Sequence, residues 1–223
     1  MLDFAGGFRL HGTILAPGST MTISSRTVSL VTAFSLLVFA VATGTAAEKK
    51  EWVELTNCTY VVAQYNDGDS FRFKSGTNEF VVRLYFVDAP ETNLRYPERT
   101  REQSEYFAVT LDEAMKAGAE ARDAVRELLR DPFVVWTRWA SAAGRGKETR
   151  YYGIVEINGK DLAEALVSKG LARAKGVTVN GPRGQKTKVR FEKLRRLEED
   201  ARIRRAGVWA NSKFSEKDKQ TQQ

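Results

Sequence analysis

Histidine and cysteine are almost missing from this sequence. Its 223 residues include one histidine, His11, and one cysteine, Cys58. His11 lies in an N-terminal segment with the features of a leader, and the chain beyond that segment has no histidine. This excludes a Ser-His-Asp triad, a histidine-paired thiol and a zinc site of the histidine and cysteine type. Cys58 has no partner for an intrachain disulfide, and we expect it to be a small buried apolar residue.

Charged side chains are abundant. The chain has 35 lysines and arginines against 28 aspartates and glutamates, a formal net charge of +7, which stays near +6 once the leader is set aside. Such a charge suits a polyanionic partner, although solubility alone would also explain it. Chemistry in the folded part must therefore depend on carboxylates, arginines, lysines, hydroxyls or a hard metal ion.

The first 47 residues predict a leader that does not belong to the fold. From Met21, a possible true start, Arg26 precedes an apolar run over 28–43 and small residues before Glu48. This is the pattern of a secretory signal peptide cleaved after Ala47, so we expect a periplasmic or extracellular protein. An uncleaved membrane anchor is the alternative, but the run is shorter than the roughly 20 apolar residues that span a bilayer.

Alternating apolar residues predict a small β-barrel over 48–211, followed by a polar, disordered tail over 212–223. The predicted strands lie within Glu51–Gln64, around Phe71 and Phe73, and over Glu79–Val87, Phe133–Trp139 and Tyr151–Ile157. Helical spacing appears around Glu102–Ala108, over Lys116–Leu129, from Asp161 to Gly170, and near Phe191–Ala201. The sequence thus predicts an α+β, mainly β fold: a five-stranded barrel of the oligonucleotide-binding (OB) type, capped by about three helices.

One strand carries an arginine into an acidic turn. Arg83 lies in the middle of an apolar strand, and Asp88 and Glu91 follow it around a proline. The turn at Asp67-Gly68-Asp69-Ser70 lies just upstream. Isolated charges near a barrel interior need partners, so these residues predict a metal ion and a phosphate held between them. The alternatives are ordinary turn chemistry for Asp67 and Asp69, and an outward-facing strand position for Arg83.

Four segments in this order resemble the staphylococcal nuclease family, from about Tyr60 to Ala210. They are DGDS at 67–70, VRLYFVDAPET at 82–92, TRYYGIVEINGKDLAEALVSKGLA at 149–172 and LRRLEEDARIRRAGVW at 194–209. The resemblance implies a calcium-dependent endonuclease that hydrolyses DNA and RNA, single-stranded or locally open, with little sequence preference. It also implies that water attacks phosphorus and that 3′-phosphate ends remain.

The resemblance implies a role for each matching residue. Calcium (Ca²⁺) would be held by Asp69, Asp88 and the backbone carbonyl of Ala89, and hard oxygen ligands suit that ion. Glu91 would take a proton from water or orient it, while Arg83 and Arg150 would stabilise charge on the phosphoryl oxygens. Arg145 competes with Arg150 for its role; Arg150 keeps register with the strand that follows.

Two further segments leave alternatives open. Arg101–Met115 looks like an insertion that narrows the cleft, binds substrate or, by default, pads the surface. Ten basic residues against four acidic ones lie between Arg183 and Arg205, which suits a solvated helix face or a substrate groove. In the second case Arg183, Lys186 and Lys188 would bind phosphates without reading sequence.

Two rival hypotheses belong to other classes. A barrel of this type can bind nucleic acid without cutting it, and an uncleaved leader would make the chain an envelope-anchored interaction module. The first rival is weakened because the chain keeps the glutamate and both arginines that the resemblance requires. We expect a monomer without a protein partner, and membrane contact only if the leader is retained.

Overall fold

The computed structural model describes residues 50–143 and 148–213. The predicted leader and cleavage site, Arg145 and residues 214–223 of the predicted tail lie outside these ranges. Within the described residues, none of the helices has the length and apolar character needed to cross a membrane.

Five strands close into a barrel, as the alternation predicts. They are β1 (Val53–Tyr60), β2 (Ser70–Ser75), β3 (Asn78–Leu84), β5 (Phe133–Ala142) and β6 (Arg150–Ile157), and short strands β4 (Val87–Asp88), β7 (Lys160–Asp161) and β8 (Arg173–Ala174) flank them. The antiparallel order β3-β2-β1-β5-β6 is closed by a parallel pairing of β3 with β6. That pairing sets Arg83 opposite Tyr152. Five strands in this closed arrangement, with helices packed against them, confirm the predicted OB-type barrel.

The alternation of apolar and polar residues along the strands explains which side chains form the core. Phe71, Phe73, Val82 and Leu84 are buried, whereas Lys74, which follows Phe73, is exposed. Cys58 is buried as expected. The predicted strand over Glu79–Val87 ends earlier, at Leu84, because the backbone turns at Phe86, which has a φ of 71°. The chain then re-enters a sheet at β4, and this turn carries Asp88 to the end of the barrel.

Four α-helices lie among the described residues, one at each of the four segments with helical spacing. They are α1 (Pro97–Phe107), α2 (Leu111–Leu128), α3 (Leu162–Ser168) and α4 (Thr187–Ile203). A 3₁₀ helix, Gly207–Asn211, follows α4. Asp161 caps α3 by accepting hydrogen bonds from the amides of Ala163 and Glu164.

Both helices that follow the acidic turn begin earlier than the helical spacing predicts. Pro97 opens α1, five residues before the predicted helix, since proline is well suited to a first helical turn. Thr110 and Glu113 form a reciprocal capping box that starts α2 five residues early. Helix α2 then packs Ala121 and Val125 into the barrel core, and this holds the acidic turn in place from behind.

Candidate functional site

The Asp67–Ser70 turn is tied to β3. The Oδ1 atom of Asp67 accepts hydrogen bonds from the amides of Asp69 (3.0 Å) and Ser70 (2.6 Å), which is ordinary turn chemistry for this residue. The carbonyl of Asp69 accepts the Leu84 amide at 2.8 Å. Its buried carboxylate accepts the Ala89 amide at 2.8 Å through Oδ2. Asp69 therefore joins the turn to β3 and to the acidic segment beyond β4.

Arg83 bridges two carboxylates. Its Nη1 atom lies 2.7 Å from Oδ1 of Asp69, and its Nη2 atom donates to Oδ1 of Asp88 at 3.1 Å. The side chain is 15% exposed, so the outward-facing alternative is wrong. Burial lowers the pKa of this guanidinium, but the surrounding carboxylates, Asp69 foremost, raise the pKa by more than burial lowers it, so Arg83 stays charged.

Asp88 is the centre of the arrangement. Its Oδ1 atom accepts from Arg83 and Arg99, and its Oδ2 atom accepts from Gln103 (3.1 Å) and Arg173 (2.9 Å). Burial alone would raise the pKa of this carboxyl, yet Arg99, Arg173 and Arg83 together hold it below its ordinary value. We call the group around this residue the Asp88 cluster: Asp69, Arg83, Asp88, Glu91, Arg99, Glu102, Gln103 and Arg173.

Helix α1 supplies three members of the cluster. Arg99 donates through Nε to Glu91 and through Nη2 to Asp88. Gln103 is fully buried; it donates to the carbonyl of Ala89 at 2.8 Å and accepts the amide of Glu91 at 2.8 Å. Glu102, one residue earlier, faces Arg173. The interpretation of Arg101–Met115 as surface padding is therefore wrong for the start of the segment.

The Glu91 carboxylate is half-buried and ion-paired. Burial raises its pKa, and the charge of Asp69 adds to that effect, while the Arg99 guanidinium opposes it. Arg99 contacts only Oε1 of Glu91. A carboxylate with a raised pKa and one engaged oxygen can accept a proton at the other.

Arg173 contacts the Asp88 cluster from strand β8. Strand β8 pairs with β4 so that Arg173 lies directly opposite Asp88. Its side chain is 2% exposed and also donates to Oε1 of Glu102 at 2.8 Å. Glu102 in turn accepts from Lys175 at 2.8 Å, and the pKa of Glu102 falls to about 2, chiefly because of its hydrogen bonds to Arg173. Sequence reasoning missed Arg173, since a single arginine beside Leu171 and Ala172 carries no local signal.

Arg150 lies at the edge of this arrangement. It opens β6 opposite Val81, and its Nη1 atom donates to Ser70 Oγ at 3.5 Å. Ser70 follows Asp69 and pairs with Arg83 in the β2–β3 ladder. Arg150 therefore reaches the site through Ser70. The competing Arg145 lies outside the described residues.

The three predicted phosphate-binding residues lie elsewhere. Arg183 donates to both carboxylate oxygens of Glu156, at 3.1 and 2.7 Å, and covers the ring of Trp136. Glu156 lies six positions along β6 from Arg150, which is about 20 Å of strand. Lys186 precedes the first turn of α4, and Lys188 is exposed. Their role as substrate contacts stays a prediction.

The donor set predicted for calcium does not fit the ion in this arrangement. Calcium requires six to eight oxygens at about 2.3–2.6 Å. Both oxygens of Asp88 and the carbonyl of Ala89 already accept hydrogen bonds, and Asp69 Oδ1, the remaining oxygen without a hydrogen bond, faces Arg83 at 2.7 Å. Among the described residues, no group of three or more acidic, histidine or cysteine side chains is arranged to hold a metal ion.

Arg99, Glu102 and Gln103 are the other residues that sequence reasoning missed. Arg99 and Gln103 lie four positions apart, so a helix places both on one face, and Pro97 signals where that helix begins. A search for polar residues at helical spacing after Pro97 would have found them.

Comparisons with known proteins give the family of the chain. No curated protein matches the chain. The family model described as staphylococcal nuclease homologue matches residues 81–211, more than half of the chain. The match includes Arg83, Asp88, Glu91 and Arg150 and begins after the Asp67–Ser70 turn. The chain therefore belongs to the staphylococcal nuclease family.

Proposed function

We propose that this protein is an exported endonuclease that hydrolyses phosphodiester bonds of DNA and RNA with little sequence preference. Family membership supports a nucleic-acid substrate and hydrolytic chemistry. The observation that carries the proposal is the continuous chain of ion pairs that runs from Asp69 through Arg83, Asp88 and Arg99 to Glu91. It fixes two guanidiniums beside one carboxylate that has a free oxygen.

The reaction is a hydrolysis in which atoms and charge balance. Water oxygen attacks phosphorus while the bond from phosphorus to the 5′ oxygen breaks. Glu91 accepts the proton of the attacking water, and the leaving oxygen takes a proton from solvent, which leaves a 3′-phosphate and a 5′-hydroxyl. Glu91 then returns its proton to solvent. This assignment needs no imidazole, since a carboxylate can act as the general base.

Arg83 and Arg150 would stabilise the phosphoryl group. A guanidinium presents two parallel N–H donors to phosphate oxygens and stays charged at any working pH. Arg83 is held in place by two carboxylates, so its orientation is set before substrate arrives. Preorganised donors of this kind stabilise charge that develops in the transition state.

Calcium at Asp69, Asp88 and the carbonyl of Ala89 stays a prediction of the resemblance. Family members generally use this ion, but the ligand atoms of this chain are occupied by its own donors. If an ion were bound, it would supply further charge stabilisation for the phosphoryl oxygens. The roles given above depend only on residues of the chain.

The remaining parts of the proposal concern substrate form and location. Single-stranded or locally open nucleic acid would suit a site at one end of a small barrel, because duplex bases are stacked and paired. Export depends on the leader over 21–47, and the monomer state is part of the same proposal. Fractionation, mature N-terminal sequencing and sedimentation would test these points.

The test is a Glu91→Gln variant. We expect hydrolysis of denatured DNA to fall by about 10²- to 10⁴-fold, because glutamine cannot accept the proton. Affinity for the same DNA should change little, since the arginines remain, and fluorescence anisotropy measures it. Glu105→Gln, an exposed change on α1, serves as the matched control. If the wild type bound nucleic acid and cut none under any condition, the chain would be a binding module.

A further inference from the structure

The hydrogen-bonding capacity of Asp88 is completely used. An ionised carboxylate offers about four lone-pair sites, two on each oxygen. Arg83 and Arg99 fill those of Oδ1, and Gln103 and Arg173 fill those of Oδ2. A metal ion could bind this carboxylate only by displacing one of the four donors, so occupation by an ion has a direct competitor within the chain.

Gln103 occupies a second predicted calcium ligand, the carbonyl of Ala89, in the same way. Its amide group donates to the carbonyl of Ala89 and to Asp88, and its oxygen accepts the amide of Glu91. All three contacts lie within 3.1 Å, and the side chain is fully buried. Moving it would leave several buried polar groups without partners, which costs about 1–3 kcal/mol for each group.

Each carboxylate of the Asp88 cluster has a cationic neighbour. Asp69, Asp88, Glu91 and Glu102 face the three arginines of the cluster and, in the case of Glu102, also Lys175 outside it. Calcium sites depend on carboxylates whose charge is not neutralised by other groups. A divalent cation here would instead lie among three guanidiniums that all contact Asp88.

We propose that Arg99, with Gln103 beside it, takes the place of a bound metal ion, so that the site hydrolyses phosphodiesters without calcium. This inference rests on the proposed function. Arg99 places one positive charge between the carboxylate at the centre of the cluster and the proposed general base. Its cation belongs to helix α1, outside the set of residues to which the resemblance gives a role.

Arg99 is placed to act on both the base and the substrate. Its Nε and Nη2 atoms bind Glu91 and Asp88, and among the described residues no partner is found for Nη1. The side chain is 38% exposed, so this third nitrogen can reach a phosphate at the surface of the site. One guanidinium would thus orient Glu91 and donate to a phosphoryl oxygen.

The first experiment measures hydrolysis of denatured DNA by the purified protein in excess chelator and in excess calcium. We expect the two rates to agree within about twofold. Calorimetric titration with calcium chloride should show no binding to the wild type. Abolition of the rate by chelator, together with calcium binding, would overturn the inference and leave the proposed hydrolase intact.

Variants of α1 give the second experiment. Arg99→Ala should lower the rate in chelator by about 10²- to 10³-fold, the usual effect of losing one preorganised donor. Arg99→Lys should recover part of it, because an ammonium keeps the charge but not the planar fork. Arg101→Ala, an exposed arginine on the same helix, is the control and should match the wild type. A wild-type rate for Arg99→Ala would contradict the proposal.

A double variant separates this inference from the proposed function. Arg99→Ala with Gln103→Ala opens lone pairs on Asp88 and on the Ala89 carbonyl, so calcium binding should appear in the calorimeter. Circular dichroism confirms that the variant is folded. If no form cuts DNA, the proposed function fails, while gain of calcium binding by the double variant still supports the replacement. Equal calcium binding by wild type and double variant would refute it.

Discussion

Two sets of ion pairs in this molecule are built differently. In the Asp88 cluster one carboxylate is shared by three arginines. On the other side, the pairs that we call the outer pairs are one to one: Arg183–Glu156, Arg190–Asp161 and Lys193–Glu164. Asp161 is nearly as enclosed as Asp88, and one arginine with two capping amides satisfies it.

The comparison shows what the additional arginines do to a buried carboxylate. Burial raises the pKa of Asp161 because the single Arg190 does not fully offset it, whereas three arginines hold the pKa of Asp88 below its ordinary value. The arginines on Asp88 also have a second role. Arg83 and Arg99 also contact Asp69 and Glu91, so the cluster fixes donors that substrate can use.

The largest expected difference between the two sets is in stability. Arg173→Met should lower the free energy of unfolding by about 3–5 kcal/mol, because it leaves Asp88 buried with one donor fewer and strips Glu102 of its main partner. Arg183→Met is the matched change in the outer pairs; Arg183 is 54% exposed, so the loss should be much smaller than for Arg173→Met. Urea unfolding at neutral pH measures both, and equal losses would remove the distinction.

The next prediction asks whether Arg150 belongs with the Asp88 cluster. Arg150→Ala should lower the rate of hydrolysis by about 10²- to 10³-fold, because a phosphate donor is lost. Stability should change little, since the contacts of Arg150 are long, at 3.5 and 3.2 Å. Arg145→Ala is the comparison variant. Wild-type cleavage by Arg150→Ala, with loss in Arg145→Ala, would move the role to Arg145.

The barrel could be predicted from the sequence because its strands alternate. Phe71 and Phe73 face the core between polar neighbours, and Val82 and Leu84 repeat the pattern one strand later. Alternation and apolar spacing do not predict the start of helix α1 because the buried face of this helix is largely polar. Thr100, Gln103 and Ser104 are buried there with Phe107, so no apolar period marks the helix. The start of α2 was available in the Thr110–Glu113 capping box.

The site was predictable only in part. Arg83, Asp88 and Glu91 stand out because they interrupt or end an apolar strand, and the structure brings them together through ion pairs. Arg173 contacts Asp88 across 85 positions of sequence, through the β4–β8 pairing, and no local sequence pattern predicts such a contact. Arg99 required knowledge of how α1 docks, which depends on tertiary packing.

The last prediction concerns how α2 holds the Asp88 cluster from behind. A Cβ atom on Gly118 would lie 2.5 Å from the carbonyl oxygen of Glu91 and 2.6 Å from that of Pro90. Both are backbone atoms, so the turn that carries Glu91 must shift. Overpacking of this kind costs about 1–3 kcal/mol, and the better helix propensity of alanine returns roughly 1 kcal/mol.

We therefore expect Gly118→Ala to lower the free energy of unfolding by no more than about 2 kcal/mol, yet to lower the hydrolysis rate measurably, because displacement of Glu91 misplaces the base. Glu120→Ala, on the exposed side of α2, should change neither quantity. Thermal unfolding and the rate on denatured DNA measure the two effects. A normal rate with reduced stability would mean that the position of Glu91 is set by Arg99 and Gln103 alone, independently of the helix behind it.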